Sequence, residues 1–278
     1  MTTGLGRLLG QGRTADVFEF GDGLAIKLLR PGLSEDSLRS EAEKAKAVIL
    51  AGAPAPSVQG LERIDGRLGI VFERANGAMM VDLIIDAPGK AMHWGSRLGT
   101  VHVAMLSLST DRLADVKDRL RAKIAQALPL SRGQRRKARD ALDALPTGSA
   151  VLHGDFHPLN VFLAGSRATV IDWADASRGP AAADIARTLW LISPHSIPPE
   201  APDRDRVVQI VDDIREAYLA EIFALTDVDP DQVDEWALPV LTGRLSEGIE
   251  HERVALLARI GQLITRLGRA GMTGAAPY

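Results

Sequence analysis

The sequence contains no cysteine. Disulfides, thiolate metal sites and a cysteine nucleophile are therefore excluded, and a reducing compartment fits. Aromatic side chains make up only 4%, too few for surfaces that stack the bases of single-stranded nucleic acid. Basic charge is not in excess: 33 Lys and Arg face 36 Asp and Glu, giving a formal charge of −3. No net field recruits nucleic acid or an anionic membrane. No apolar run reaches the roughly 18 residues that a membrane span needs. The N-terminal Met1-Thr-Thr-Gly-Leu-Gly-Arg lacks the apolar core of a signal peptide. The expectation is a soluble cytoplasmic protein with neither nucleic-acid nor membrane partners. What remains is ordinary: 278 residues, 46% apolar and 25% charged. That is ample for a packed core, in one bilobal unit or two small domains.

Residues 8–29 read as three short strands, Leu8-Leu9, Val17–Phe20 and Leu24–Leu29, the last two joined at Gly21-Asp22-Gly23. A Glu-, Lys- and Ala-rich helix over 34–51 follows, opened by Ser34 or Ser37 and ended by Ala53-Pro54-Ala55-Pro56. Two more strands, near Val58–Ile64 and Leu68–Phe72, flank Asp65-Gly66. Beyond Gly77 helical spacing dominates, over 92–108, 111–127 and 131–145. A strand-like pair, Ala150–Leu152 and Val161–Leu163, and a further strand at Thr169–Ile171 interrupt it. From Asp184 onward the pattern is helical again. The layout is a sheet-rich N-terminal part with one helix and a helical C-terminal part, with a break near Glu73–Gly77.

The strongest chemical signal is His153-Gly154-Asp155-Phe156-His157-Pro158-Leu159-Asn160, followed by Val170-Ile171-Asp172-Trp173. Phosphoryl transfer needs a carboxylate at the attacking hydroxyl and oxygen ligands for magnesium beside the phosphates of ATP. Asp155 suits the first role. Asn160 and Asp172 offer the hard oxygen donors that magnesium prefers. Strands on either side of the loop read as a hairpin that points Asp155 and Asn160 into one cleft, with Asp172 arriving from the neighbouring strand. His153 reads as a loop brace. A second functional reading takes His153, Asp155 and His157 as ligands of a transition metal in a hydrolase.

Two upstream features bear on the same chemistry. In Gly10-Gln11-Gly12-Arg13-Thr14-Ala15, glycines let backbone amides approach a phosphate, although a plain turn is equally compatible. A dinucleotide-binding reading fails, because a hairpin follows and not a helix. Lys27 ends an otherwise apolar strand, within reach of the nucleotide's α- and β-phosphates. Glu41, on the following helix, or Glu43, two residues on and facing elsewhere, could pair with it.

Together these residues resemble the aminoglycoside phosphotransferase family, within the protein-kinase-like superfamily that also holds choline and homoserine kinases. The resemblance spans nearly the whole chain in the expected order. It implies an α+β, bilobal protein-kinase-like fold: an antiparallel-sheet N-lobe over 1–73, a hinge at 74–77 and a mainly helical C-lobe over 78–278. It selects Glu41, thirteen residues before Pro54, as the partner of Lys27. It places Glu73, Arg74 and Ala75 at the hinge, with backbone bonds to adenine. Gly10, Gly12, Thr14, Lys27, Glu41, Glu73 and Ala75 become the nucleotide-binding set, and Asp184 a brace of the catalytic loop. Protein kinases carry Asp-Phe-Gly and Ala-Pro-Glu here; neither is present, so a small-molecule acceptor is expected. Many relatives carry an acidic residue at the place of Ala174, which leaves Asp175 as a weak substitute metal ligand.

Acceptor identity is less legible. Asp231, Asp234, Glu235, Glu247, Glu250 and Glu252 would suit a cationic aminoglycoside or amino alcohol if they lined a pocket; the bland alternative is a solvated helix face. A nucleotide-binding pseudokinase acting as an interaction module is the remaining alternative, and intact Lys27, Asp155, Asn160 and Asp172 speak against it.

Overall fold

A computed structural model of the chain describes residues 4–273. Strands β1 (Leu8–Gln11), β2 (Ala15–Glu19) and β3 (Leu24–Leu29) lead into helix α1 (Glu35–Leu50), and β4 (Val58–Ile64) and β5 (Arg67–Glu73) follow. These strands form one antiparallel sheet in the order β1-β2-β3-β5-β4. The β4–β5 turn needs positive φ at both Asp65 (49°) and Gly66 (77°), which Asp-Gly adopts at low cost. Ser34 caps α1 by accepting the Asp36 amide, and Glu35 and Asp36 complement the helix dipole. Strand alternation puts Ala25, Lys27 and Leu29 of β3 on one face. Leu29 joins Leu38 and Ala42 of α1 in a small core, while Ile26 and Leu28 pack with Phe20 and Val71 on the other face. Lys27 is thereby aimed at α1.

The remainder begins with β6 (Ala78–Met79) and α2 (Met80–Asp86), then α3 (Ala91–Leu106), α4 (Val116–Gln126) and α5 (Arg132–Ala144). Strands β7 (Ala150–Leu152), β8 (Val161–Ala164), β9 (Arg167–Val170) and β10 (Ser177–Gly179) carry the loop of interest. Helices α6 (Ala181–Leu191), α7 (Arg204–Leu225), α8 (Pro230–Leu245) and α9 (Arg253–Thr273) complete the helical part. Among the described residues no helix is long and apolar enough to cross a membrane. Trp173, Trp190 and Trp236 are buried in the large core.

The sequence reading needs one correction here. β7 and β8 are not paired as a hairpin: β7 pairs with β10, and β8 lies between β6 and β9. Short apolar runs specify strands but not partners, and the three-residue β10 and two-residue β6 carry too little periodicity to be seen. The catalytic-type loop therefore spans two separate small sheets. β6 is held close by Gly77 (φ 96°), where a Cβ would stand 2.1 Å from the Leu163 carbonyl oxygen.

Candidate active site

Lys27 sits between two carboxylates. Its Nζ lies 2.7 Å from Glu41 Oε1 and 2.9 Å from Asp172 Oδ1, joining β3, α1 and the end of β9. Burial would lower the Lys27 pKa, but Asp172 and Glu41 outweigh it and hold the ammonium above its usual range. Glu43 points elsewhere and pairs with Lys46 (2.8 Å). Asp172 has φ 63°, a left-handed conformation uncommon for a residue with a side chain and frequent where function requires it.

Asp155 lies in the loop between β7 and β8. Its Oδ1 is 3.3 Å from Arg187 Nη2 and its Oδ2 is 3.4 Å from His157 Nε2. Burial favours protonation, but the His157 hydrogen bond and the Arg187 charge prevail and hold the carboxyl far below its usual range. Asn160 Nδ2 donates to the Asp155 carbonyl (2.9 Å). Gly154 (φ 79°) is required: a Cβ would stand 2.4 Å from Arg119 Nη1 and 2.6 Å from the Asp175 carbonyl oxygen.

The loop is braced from beneath. Asp184 accepts the amides of His153 (2.6 Å) and Gly154 (2.8 Å). Asp184 also meets His102 Nε2 at 3.2 Å, and His102 Nδ1 meets the Tyr218 hydroxyl at 2.7 Å. His153 is fully buried; Nε2 donates to the Ile171 carbonyl (2.9 Å) and Nδ1 accepts the Asp155 amide (3.2 Å). Burial keeps that imidazole neutral. With both nitrogens engaged, His153 cannot serve the transition-metal reading. Among the described residues no group of three or more His, Cys, Asp or Glu side chains could hold a metal ion.

The glycine-rich turn links β1 to β2, with the Gly12 amide bonded to the Ala15 carbonyl and the Thr14 carbonyl accepting from Arg30. A Cβ on Gly10 would meet nothing within 4 Å, so the fold itself does not demand glycine there. At the end of β5 the amides of Glu73 and Arg74 are taken by the carbonyls of Ser57 and Gly23; Ala75 follows them.

Several site residues escaped the sequence reading. Arg187 donates through Nε to the Gly154 carbonyl (3.1 Å) and through Nη2 to both Asp155 and Glu247. It stands three residues after Asp184, hence on the same helix face, which was its only sequence signal. Asp175 is held by Arg119 (2.5 Å) and Lys123 (3.5 Å). Of the acidic residues near the C-terminus, Asp231, Asp234, Glu235 and Glu250 are exposed. Glu252 is buried against Arg244 and Trp190. Only Glu247 reaches the cleft.

Known proteins share a family pattern and a fold with this chain. The model of the phosphotransferase enzyme family, APH, matches residues 6–236. A choline/ethanolamine kinase family protein from Mesorhizobium loti superposes with TM-score 0.57 at 18% identity, over 95% of this chain and 88% of that one. An aminoglycoside-3'-phosphotransferase of type VIII gives TM-score 0.58 at 16% identity, covering 87% and 94%. An amicoumacin kinase in complex with AMP-PNP and Ca2+ gives 0.56 at 14%, covering 93% and 86%. At such identities the likeness is one of fold. No curated protein matches by sequence.

Proposed function

The chain belongs to the phosphotransferase enzyme family, and from that premise we propose that it moves the γ-phosphoryl group of ATP to a hydroxyl of a small molecule. The observation that carries this is Lys27 held at once by Glu41 of α1 and by Asp172 just after β9. On this reading residues 1–73 form the nucleotide lobe, 74–77 the hinge and 78–278 the lobe with the catalytic loop and acceptor site. Lys27 binds the α- and β-phosphates, with Glu41 fixing its position. The glycine-rich turn, including Gly10, Gly12 and Thr14, covers the phosphates; the Gly12 amide is spent on the Ala15 carbonyl, so other amides of the turn face them. With the Glu73 and Arg74 amides already taken, the Ala75 amide is the hinge donor for adenine, beside the Glu73 carbonyl.

Asn160 Oδ1 and the partly exposed Asp172 carboxylate are hard oxygen donors of the kind magnesium takes, and they are the residues that would hold it. When bound, the ion neutralises charge on the phosphates during transfer. Asp155 accepts a hydrogen bond from the acceptor hydroxyl and orients its lone pair toward the phosphorus. Its depressed pKa makes orientation the larger part of its role, with proton uptake late, as the phosphoryl group arrives.

The test is Asp155→Asn, assayed by ADP release with an acceptor found by screening. Turnover should fall by about 10²–10⁴-fold, with Mg·ATP affinity by calorimetry nearly unchanged. Undiminished turnover would reject Asp155 as the residue at the hydroxyl. ATP binding with no turnover across aminoglycosides, choline, homoserine and sugars would favour the interaction module.

A further inference from the structure

Resting on the assignment of Asp155 to the acceptor hydroxyl, we propose that Arg187 is its positioning residue. The Arg187 guanidinium fixes one carboxylate oxygen of Asp155 and thereby presents the other, Oδ2, to the hydroxyl.

Helix α6 grips the loop with two side chains on one face, three residues apart. Asp184 accepts the amides of His153 (2.6 Å) and Gly154 (2.8 Å). Arg187 donates through Nε to the Gly154 carbonyl (3.1 Å) and through Nη2 to Asp155 Oδ1 (3.3 Å). Both polar backbone groups of Gly154 are therefore held by one helix. The main chain leading into Asp155 and the Oδ1 atom are pinned by the same planar group, which leaves the side-chain torsions little freedom. Oδ2 meets His157 Nε2 at 3.4 Å, longer than an ordinary hydrogen bond, and keeps lone pairs for a further donor.

The anchor is itself anchored. The Arg187 side chain is 8% exposed, whereas that of Asp155 is 31% exposed, so the fixed end is buried and the presented end is open. Arg187 also pairs with Glu247 (3.0 Å), which Lys123 (2.8 Å) and Arg244 hold in turn. Arg244 continues to the buried Glu252, which accepts the Trp190 indole N–H (2.7 Å). On the other flank Asp175 holds Arg119 and Lys123. Each cation of this cluster thus has a resident carboxylate. The adjoining cavity, about 30 Å³, has room for little more than a water. With neither spare charge nor space for a ligand, the cluster is a support for Asp155. An ammonium carries its three donors on one atom, whereas the guanidinium spreads five over a rigid fork. Only the fork meets the Gly154 carbonyl, Asp155 and Glu247 together.

The experiment compares steady-state ADP release, with an acceptor found by screening, in full-length wild type, Arg187→Lys, Asp155→Asn and the double variant. Lysine keeps the charge and loses the fork. Arg187→Lys should lower kcat about 10–100-fold, with KM for ATP and the calorimetric Kd for Mg·AMP-PNP within about twofold. In the Asp155→Asn background the same change should cost less than about twofold, because a residue that acts through Asp155 has no carboxylate left to position. A structural defect would cost the same in both backgrounds or would weaken AMP-PNP binding, and either result overturns the proposal. So does an unchanged kcat in folded Arg187→Lys. Glu247→Gln, which frees the far side of the guanidinium, repeats the test if Arg187→Lys does not fold: kcat should again fall, by about 10-fold, and only while Asp155 is present. An unchanged kcat there overturns the proposal as well. Undiminished turnover in Asp155→Asn alone, or no turnover of any acceptor by the wild type, would overturn the underlying reading instead, so the two failures are distinguishable.

Discussion

Glu247 gathers Lys123, Arg187 and Arg244 around one carboxylate, and its protonation behaviour follows from that crowd. Its folded pKa of about 2 lies below the ordinary 4.5. A depressed carboxylate stabilises the fold fully above the unfolded value and loses that contribution as pH falls through the folded value. The window here runs from about pH 4.5 down to 2, and the span corresponds to about 3 kcal/mol. Glu247→Gln should therefore lower unfolding free energy by about that amount at neutral pH, with the gap to wild type closing across the window. Denaturant titrations at several pH values check this, and a gap that stays constant would rule it out. At this scale the sequence was most legible where chemistry is local. Lys27, Asp155, Asn160 and Asp172 stand in short recognisable patterns, and Glu41 rather than Glu43 meets Lys27. Arg187 was not legible, and Glu247 stood only as one of several acidic residues near the C-terminus, because one arginine and one glutamate 60 residues apart carry no mark of their pairing.

Helices α3 and α7 pack at close range because α3 carries glycines at the contact. A Cβ on Gly95 would stand 2.4 Å from the Ile214 carbonyl oxygen, and one on Gly99 would stand 2.7 Å from Glu221 Cβ. That approach lets Tyr218 of α7 reach His102 of α3, which in turn reaches Asp184 under the loop of Asp155. Gly→Ala inside a helix ordinarily gains up to about 1 kcal/mol in propensity. At Gly95 the collision is with backbone, which cannot turn aside, and overpacking costs about 1–3 kcal/mol. Gly95→Ala should thus destabilise, read as a Tm drop of several degrees; a raised Tm would show that the helices part freely. The element boundaries show the same division between local and distant causes. Helix α1 and the β4–β5 turn follow from Ser34 and Asp65-Gly66, whose signals lie within a few residues. The pairing of β7 with β10 depends on chain that arrives 25 residues later, and no local pattern announces it.

The two lobes share a helix. Leu38 and Ala42 near the start of α1 belong to the small core under the N-terminal sheet, while Ala47 and Val48 near its end belong to the large core with the C-terminal helices. Melting either core strips α1 of half its buried face. The whole chain should therefore unfold in one transition, with equal calorimetric and van't Hoff enthalpies in scanning calorimetry. Two resolved transitions would show that α1 does not tie the lobes. The bilobal α+β layout was readable from the change of periodicity near Gly77; this shared helix was not, because a helical pattern shows which face is apolar but not that its two ends lie in different cores. The ion-pair chain through Arg187 and Glu247 has a consequence in time. On a ribosome adding about 5–20 residues per second, the roughly ninety residues from Asp155 to Glu247 take about 5–20 s to appear. Lys27, Glu41 and Asp172 have all been synthesised before then, whereas Arg187 has only Asp155 for a counter-ion until the chain beyond α8 supplies Glu247. The nascent chain thus carries all the residues assigned to ATP well before the far end of this ion-pair chain exists.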